Sequence, residues 1–241
     1  MPARRGTAPA LALAILTLWK RDPSATFVYI NADNHIANEQ EFIRLLRVSE
    51  RALLKRPDHV VLIGVNPTYP EPGLGYIKMG AQVMRFGSDE VFEVEKFVEK
   101  PDLATARKFL AQWQYLWNPT LIVARADHFL DLYKKYLPAM WKHLERISKA
   151  IGTPDEQKVI KREFPKIEAE TIDYGILEKE KKMLVLPGNF GWTDVGNWRT
   201  VHEVLSGQQD SRTAGQQKKN ICKAGKCVSV ERYVASFETF Y

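Results

Sequence analysis

From residue 26 to residue 205, short β-branched or aromatic runs alternate with stretches of helical period. That pattern restricts the chain to an α/β architecture with a largely parallel sheet. Residues 26–30 (Thr-Phe-Val-Tyr-Ile) predict a buried strand, and residues 59–65, 92–98, 120–123 and 183–186 predict further ones. Asn38, with Glu41 three positions on, forms a cap-like start for a helix carrying Phe42, Leu45, Leu46 and Leu53. Pro101 and Asp102 open another helix, and Asp127 is placed to cap a longer one carrying Phe129, Leu130, Tyr133, Leu137, Met140, Trp141 and Leu144. Residues 149–166 are polar and charged, expected as a solvated helix with loops, while 172–177 and 195–205 read as helical. No internal repeat is visible.

Arg4 and Arg5 precede the apolar run 8–18, as in a secretory leader. No small-x-small cleavage site follows, and the run is shorter than the roughly 20 residues that span a bilayer. With Pro9 in its first turn and Leu11, Ala14, Ile15 and Leu18 at helical spacing, it predicts a buried helix, and no membrane association is expected. Lys+Arg number 35 against 29 Asp+Glu, a net charge of +6 spread among acids rather than gathered in a block. That balance suits a small anionic ligand such as a nucleotide or sugar phosphate and does not call for nucleic acid. Cys222 and Cys227 cannot build a disulfide framework, and no His clusters beside them for zinc, so free thiols in a reducing cytoplasm are expected. Residues 207–220 are rich in Gly, Gln, Ser and Lys, and 227–237 alternate only weakly. The expected organisation is one domain over residues 1–206, then a linker and an unfinished or disordered tail over 207–241.

Chemistry gathers at the strand ends. Asp33 directly follows the first predicted strand, in Asn31-Ala32-Asp33-Asn34-His35, and open α/β sheets bind ligands at the carboxyl ends of strands. On position alone, a turn or capping role is the stronger reading of Asp33. Asp194 lies in a stretch, 190–198, with two glycines and two tryptophans, where it caps a helix or ligates a cation. Two carboxylates from distant segments are what Mg²⁺ needs when phosphates and waters fill its other positions. Val98-Glu99-Lys100-Pro101 sets an acid and a base at a strand end. Lys100 is suited to a phosphate and Glu99 to sugar hydroxyls, unless the two form a solvated pair. Gly73-Leu74-Gly75-Tyr76-Ile77 lacks the Gly-Lys-Ser/Thr of a phosphate loop, and a hairpin turn explains it as well. Asn118, ahead of the strand at 120–123, is a turn residue or a ligand amide.

Taken in order, these pieces form a series: Thr7-Ala8-Pro9-Ala10, Asn31-Ala32-Asp33, Pro67-Thr68 with Gly73 to Ile77, Phe97-Val98-Glu99-Lys100-Pro101, Trp117-Asn118, Ile172-Asp173-Tyr174 and Phe190-Gly191-Trp192-Thr193-Asp194-Val195-Gly196. The series resembles that of the mannose-1-phosphate guanylyltransferases over about residues 2–205. The resemblance implies a Rossmann-like α/β/α sandwich of the sugar-nucleotidyltransferase type, with a mostly parallel sheet. It implies transfer of GMP from GTP to mannose 1-phosphate, giving GDP-mannose and pyrophosphate. It puts Mg²⁺ on Asp33 and Asp194, Arg5 and Thr7 at the guanine end, Gly75, Glu99 and Asn118 against the mannose, and Lys100 on the sugar phosphate. Asp33, Lys100 and Asp194 would be the catalytic set, the partners GTP and mannose 1-phosphate, and the location cytoplasmic. A homodimer is left open.

The series also departs from the family's. The glycine-rich Gly-Gly-x-Gly-Thr-Arg loop and its lysine, which cradle the triphosphate, have no counterpart in these residues. Gly6 stands for an asparagine, Asn31-Ala32-Asp33-Asn34 for Pro-Ala-Asp-His, and Pro119-Thr120 for Ser-Gly. The sequence is therefore expected to be incomplete at both ends, to lack the first strand of the sheet, and to turn over poorly by itself. Two alternatives accompany this reading. One is a nucleotidyltransferase for another sugar or base; the other is a non-catalytic module that binds sugar phosphate or nucleotide.

Overall fold

A computed structural model describes residues 3–196 and 198–205. The boundary at 206, the tail at 207–241 and both cysteines lie outside the described residues. In chain order the elements are α1 (Thr7–Arg21), β1 (Thr26–Tyr29), β2 (Asn34–Ile36), α2 (Glu39–Lys55), β3 (Val60–Val65), β4 (Gly75–Phe86), β5 (Asp89–Val98) and α3 (Leu103–Leu110). There follow β6 (Tyr115–Asn118), β7 (Ile122–Arg125), α4 (Ala126–Tyr136), α5 (Pro138–Ala150), α6 (Glu156–Glu163), a π-helical turn (Asp173–Leu177), β8 (Met183–Gly188), β9 (Trp192–Asp194) and α7 (Trp198–Leu205).

Local signals explain most of the helices. Gly6, at φ 82°, leads into α1 against the Glu170 carbonyl, where a Cβ would collide with backbone. α1 buries Ala8, Leu11, Ala12, Ile15 and Leu16 while Ala14 faces solvent, so the predicted helix forms with its core stripe turned toward residues 12 and 16. Asn38 caps α2, its side chain accepting from the Glu41 N–H at 3.0 Å, and Asp102 caps α3 by accepting from Thr105 N–H at 2.7 Å. Asp127 does not cap. It lies inside the first turn of α4 and pairs with Arg125. The long helix expected beyond it is two, because Pro138 starts α5 and the residue before a proline avoids helical backbone; Leu137 sits at φ −128°, ψ 53°.

The layers are those of an α/β/α sandwich. β3 is buried on both faces, which is why its sequence is a continuous apolar run. Val60 and Leu62 face a cluster with α1, α4 and α5, where the Tyr133 hydroxyl donates to the Ala8 carbonyl at 2.6 Å. Val61 and Ile63 face the opposite cluster with Leu45, Val48, Ala52 and Leu53 of α2. A smaller aromatic cluster of Tyr76, Phe109, Tyr115 and Trp117 packs α3. Among the described residues no helix is long and apolar enough to cross a membrane.

The expected mostly parallel sheet is not observed. The seven strands run β1-β7-β3-β6-β4-β5-β8, with β8 also paired to β3, and β2 and β9 form a separate ribbon. Among the described residues the parallel pairing is β3–β8; the rest are antiparallel. The reason lies in β7. β1 and β3, joined by α2, both pair antiparallel with β7, so they run alike without being neighbours. Strand–helix alternation reports that relative direction but cannot reveal a later strand inserted between the two. The β4–β5 hairpin adds further antiparallel pairing, and β4 begins within the glycine stretch expected as a turn. Register shifts between Lys78 and Met84 break its two-residue period, and Gly87, at φ 66°, turns the chain into β5.

β6 and β7 together follow β3 as one interrupted line. Trp117 pairs with Val65, Leu121 O accepts from Ile63 N–H at 3.2 Å, and Ile122 pairs with Leu62. The interruption, at Asn118-Pro119-Thr120, is where the site forms.

Candidate functional site

Strand register gathers one half of the site at that break. Gly75, opening β4, pairs with Asn118, closing β6, and Tyr76 pairs with Val98, so Glu99 leaves β5 beside them. The glycine keeps this approach close: a Cβ on Gly75 would lie 2.6 Å from Glu99 Oε2 and 3.3 Å from the Asn118 Cβ, so both side chains would have to shift. Asn118 is 3% exposed, and its amide is held at both ends. Its Oδ1 accepts from Thr120 N–H at 3.1 Å, and its Nδ2 donates to Asp173 Oδ1 at 3.0 Å. Thr120, at φ 55°, and Lys100, at φ 46°, are the non-glycine residues with left-handed backbone among the described ones. Such strain is uncommon, more so for a β-branched residue, and it collects at functional positions.

The electrostatics of this half are those of buried acids. The Glu99 side chain is 8% exposed, and Lys100 Nζ lies 3.4 Å from its Oε1 while remaining 55% exposed. Burial, and then the charge of Asp173, push the Glu99 carboxyl up to about 7 against the opposing pull of Lys100. Asp173, opening the π-helical turn, is itself raised by burial, opposed by hydrogen bonds that include the one from Asn118.

The other half is built by the two-stranded ribbon. Asn34 of β2 pairs with Asp194 of β9, and Val195 N–H donates to the Asp33 carbonyl at 3.1 Å. Asp33 is exposed and Asp194 half-buried. Burial, followed by the charges of Asp33 and Glu71, raises the Asp194 carboxyl. Like charges held together in partial burial disfavour ionisation until a cation joins them. Among the described residues no group of three or more His, Cys, Asp or Glu side chains could hold a metal by itself. A cation on this pair would take its remaining oxygens from a ligand or from water.

The halves are joined by contact and by charge. Asn34 Nδ2 donates to the Pro119 carbonyl at 3.2 Å, tying the ribbon to the β6–β7 break. The Tyr29 phenol, whose hydroxyl donates to Asn31 Oδ1 at 3.0 Å, is pushed up to about 12 by burial and then by Asp173 and Asp33. One side chain thus feels an acid from each half.

Gly75, Glu99, Lys100 and Asn118 are therefore neighbours, and so are Asp33 and Asp194. Arg5 and Thr7 brace the segment leading into Asp173. The Arg5 guanidinium donates to the Pro165 carbonyl, and Thr7 Oγ accepts from Ile172 N–H at 3.0 Å. Sequence reasoning gave no role to Asp173, Tyr29 or Glu71. The motif order flagged Ile172-Asp173-Tyr174, but nothing in its spacing announced a buried acid beside Asn118.

Residues 1–211 match the nucleotidyl transferase family. The chain is 35% identical over 208 residues to the mannose-1-phosphate guanylyltransferase ManC of Salmonella typhimurium, an alignment covering 84% of this chain and 42% of that protein. It is 35% identical over 208 residues to the mannose-1-phosphate guanylyltransferase of Escherichia coli K12, covering 84% and 43% respectively. A solved structure described as mannose-1-phosphate geranyltransferase from Thermus thermophilus aligns with a TM-score of 0.71 and 29% identity, over 87% of this chain and 57% of that one. The chain spans less than half the length of these two curated relatives.

Proposed function

The chain belongs to the nucleotidyl transferase family, and on that premise we propose that it transfers GMP from GTP to mannose 1-phosphate, yielding GDP-mannose and pyrophosphate. The observation that carries this reading is the hydrogen bond from Asn34 to the Pro119 carbonyl, which ties a strained, buried polar cluster to the carboxylate pair. In this reading the pocket of Gly75, Glu99 and Asn118 takes the mannose. Gly75 lets Glu99 and Asn118 close in on the β4 backbone, Asn118 offers its remaining N–H, and Glu99 engages a hydroxyl. Lys100, its ammonium open to solvent beside Glu99, takes the phosphate as a point charge.

An oxygen of the sugar phosphate then attacks the α-phosphorus of GTP. The bond from that phosphorus to its bridging oxygen breaks, and pyrophosphate leaves with the bonding electrons. This chemistry asks for alignment and charge neutralisation more than for a strong acid or base. Asp33 and Asp194 are the residues that would hold a divalent cation, Mg²⁺ in this reading, and the raised carboxyl of half-buried Asp194 beside Asp33 fits the pair to one. Bound there, it supplies charge neutralisation at the phosphates. Arg5 and Thr7 take the guanine end.

Pyrophosphate release from GTP that requires mannose 1-phosphate and Mg²⁺ tests the proposal. Preference for UTP or glucose 1-phosphate moves the reading to another base or sugar. Tight binding of mannose 1-phosphate with no release makes the chain a non-catalytic binding module.

A further inference from the structure

Asp173 is the acid of the pocket that no motif role accounts for. It opens a π-helical turn, a rare geometry that is frequent at functional sites. The chain entering it is fixed by the Thr7 hydroxyl on Ile172 N–H and by Ala8 N–H donating to the Glu170 carbonyl at 3.1 Å. From that fixed point Asp173 Oδ1 accepts from Asn118 Nδ2 at 3.0 Å, while Thr120 N–H fills Asn118 Oδ1 at 3.1 Å. An asparagine amide free to flip presents a donor or an acceptor alike. Held at both ends, Asn118 has one N–H left and meets a ligand mainly as a donor.

We propose that Asp173 is a positioning residue for the sugar phosphate, locking the Asn118 amide with one N–H directed to a sugar hydroxyl while standing beside Glu99. The proposal rests on the reading of Gly75, Glu99 and Asn118 as sugar contacts and names the group that sets their hydrogen-bond polarity. Glu99 is surrounded by Asp173, by Lys100 and by Glu178, whose Oε1 accepts from the Glu99 N–H at 3.0 Å. Asp173 in turn faces Asn118, Lys100, Glu178 and the Tyr29 phenol. Burial and the Asp173 charge hold the proton on Glu99 up to about pH 7. Below that pH the pocket presents donors from both Glu99 and Asn118; above it, Glu99 becomes an acceptor.

The test is a calorimetric titration of mannose 1-phosphate between pH 6 and 8 into the wild-type chain and the variants Asp173→Ala, Asp173→Asn, Asn118→Ala and Asp173→Ala/Asn118→Ala. Asp173→Ala and Asn118→Ala each weaken binding about tenfold, and the double variant does no worse than either. Asp173→Asn keeps an acceptor for the Asn118 amide and stays within about threefold of wild type. Because it removes a negative charge beside Glu99, its pH midpoint for binding moves downward. Additive losses in the double variant overturn the proposal, as does an Asp173→Asn variant with an unmoved midpoint. Without ligand, the Asn118 side-chain amide signal, assigned by its loss in Asn118→Ala, shifts in Asp173→Ala. If it does not shift, the lock is wrong. If it shifts while the wild-type chain binds no mannose 1-phosphate, the sugar assignment falls and the lock stands.

Discussion

The two halves of the site are built from opposite materials. Gly75 and Asn118 sit in the register of the seven-stranded sheet, with the buried Glu99 side chain one residue beyond β5 and the Asn118 amide held at both ends. Asp33 and Asp194 sit at a ribbon whose strands, β2 and β9, are 3 residues each, one carboxylate exposed and the other half-buried. A pair of strands that short has little stability of its own and depends on what packs against it. The contrast divides the work: the sheet half is shaped before any ligand arrives, whereas the ribbon half presents unbalanced negative charge that a bound cation and phosphates complete.

The sharpest way to break this comparison is to remove charge from the ribbon. Asp194→Asn is expected to lower turnover about a thousandfold or more, since charge neutralisation at the transferred phosphoryl group is the largest contribution asked of the protein. Its affinity for mannose 1-phosphate should stay within about threefold of wild type. Steady-state pyrophosphate release and calorimetry on the same preparation separate the two effects. A parallel fall in sugar-phosphate affinity would mean that the halves are not distinct.

Lys100→Ala should have the next largest effect. Mannose 1-phosphate binding weakens about tenfold, because a hydrogen bond to a charged group is lost, while binding of free mannose is unchanged. Equal weakening of both ligands would assign Lys100 to the backbone of its turn, where it stands at φ 46°, rather than to the phosphate.

The same two halves were unequally legible in the sequence. The apolar run of β3 and the cap at Asn38 lie in local chemistry, so those elements could be read residue by residue. Strand order could not, because nothing local to β1 or β3 reports that β7 fills the gap between them. β4 was hidden by its own shifts of register, which erase the alternation that marks a strand. In the site, the expectation that Asp33 and Asp194 share a cation rests on their places beside a strand end and a glycine pair, and the ribbon sets the two segments side by side. Asp173 and Tyr29 carry no such mark. Their part depends on burial and on the path of the β6–β7 break, which exist only once the chain is folded.

The smallest expected effect concerns stability. The Glu99 carboxyl is raised from its ordinary 4.5 to about 7 in the fold. Its contribution to stability is therefore fully present below about pH 4.5 and is lost as the pH rises through about 7. Relative to Glu99→Gln, which cannot ionise, the wild-type thermal midpoint should fall by a few degrees between pH 5 and pH 8. Parallel curves for the two proteins would place Glu99 in a more solvated setting than the sheet half provides.

Whether one molecule spans both halves is decided by titrating GDP-mannose, with Mg²⁺, into the wild-type chain, Asp194→Asn and Asn118→Ala. The expected result is a single class of site weakened about tenfold by either substitution, with the Mg²⁺ requirement reduced only in Asp194→Asn. Binding that responds to one substitution and ignores the other would contradict the existence of a single site built across the sheet and the ribbon.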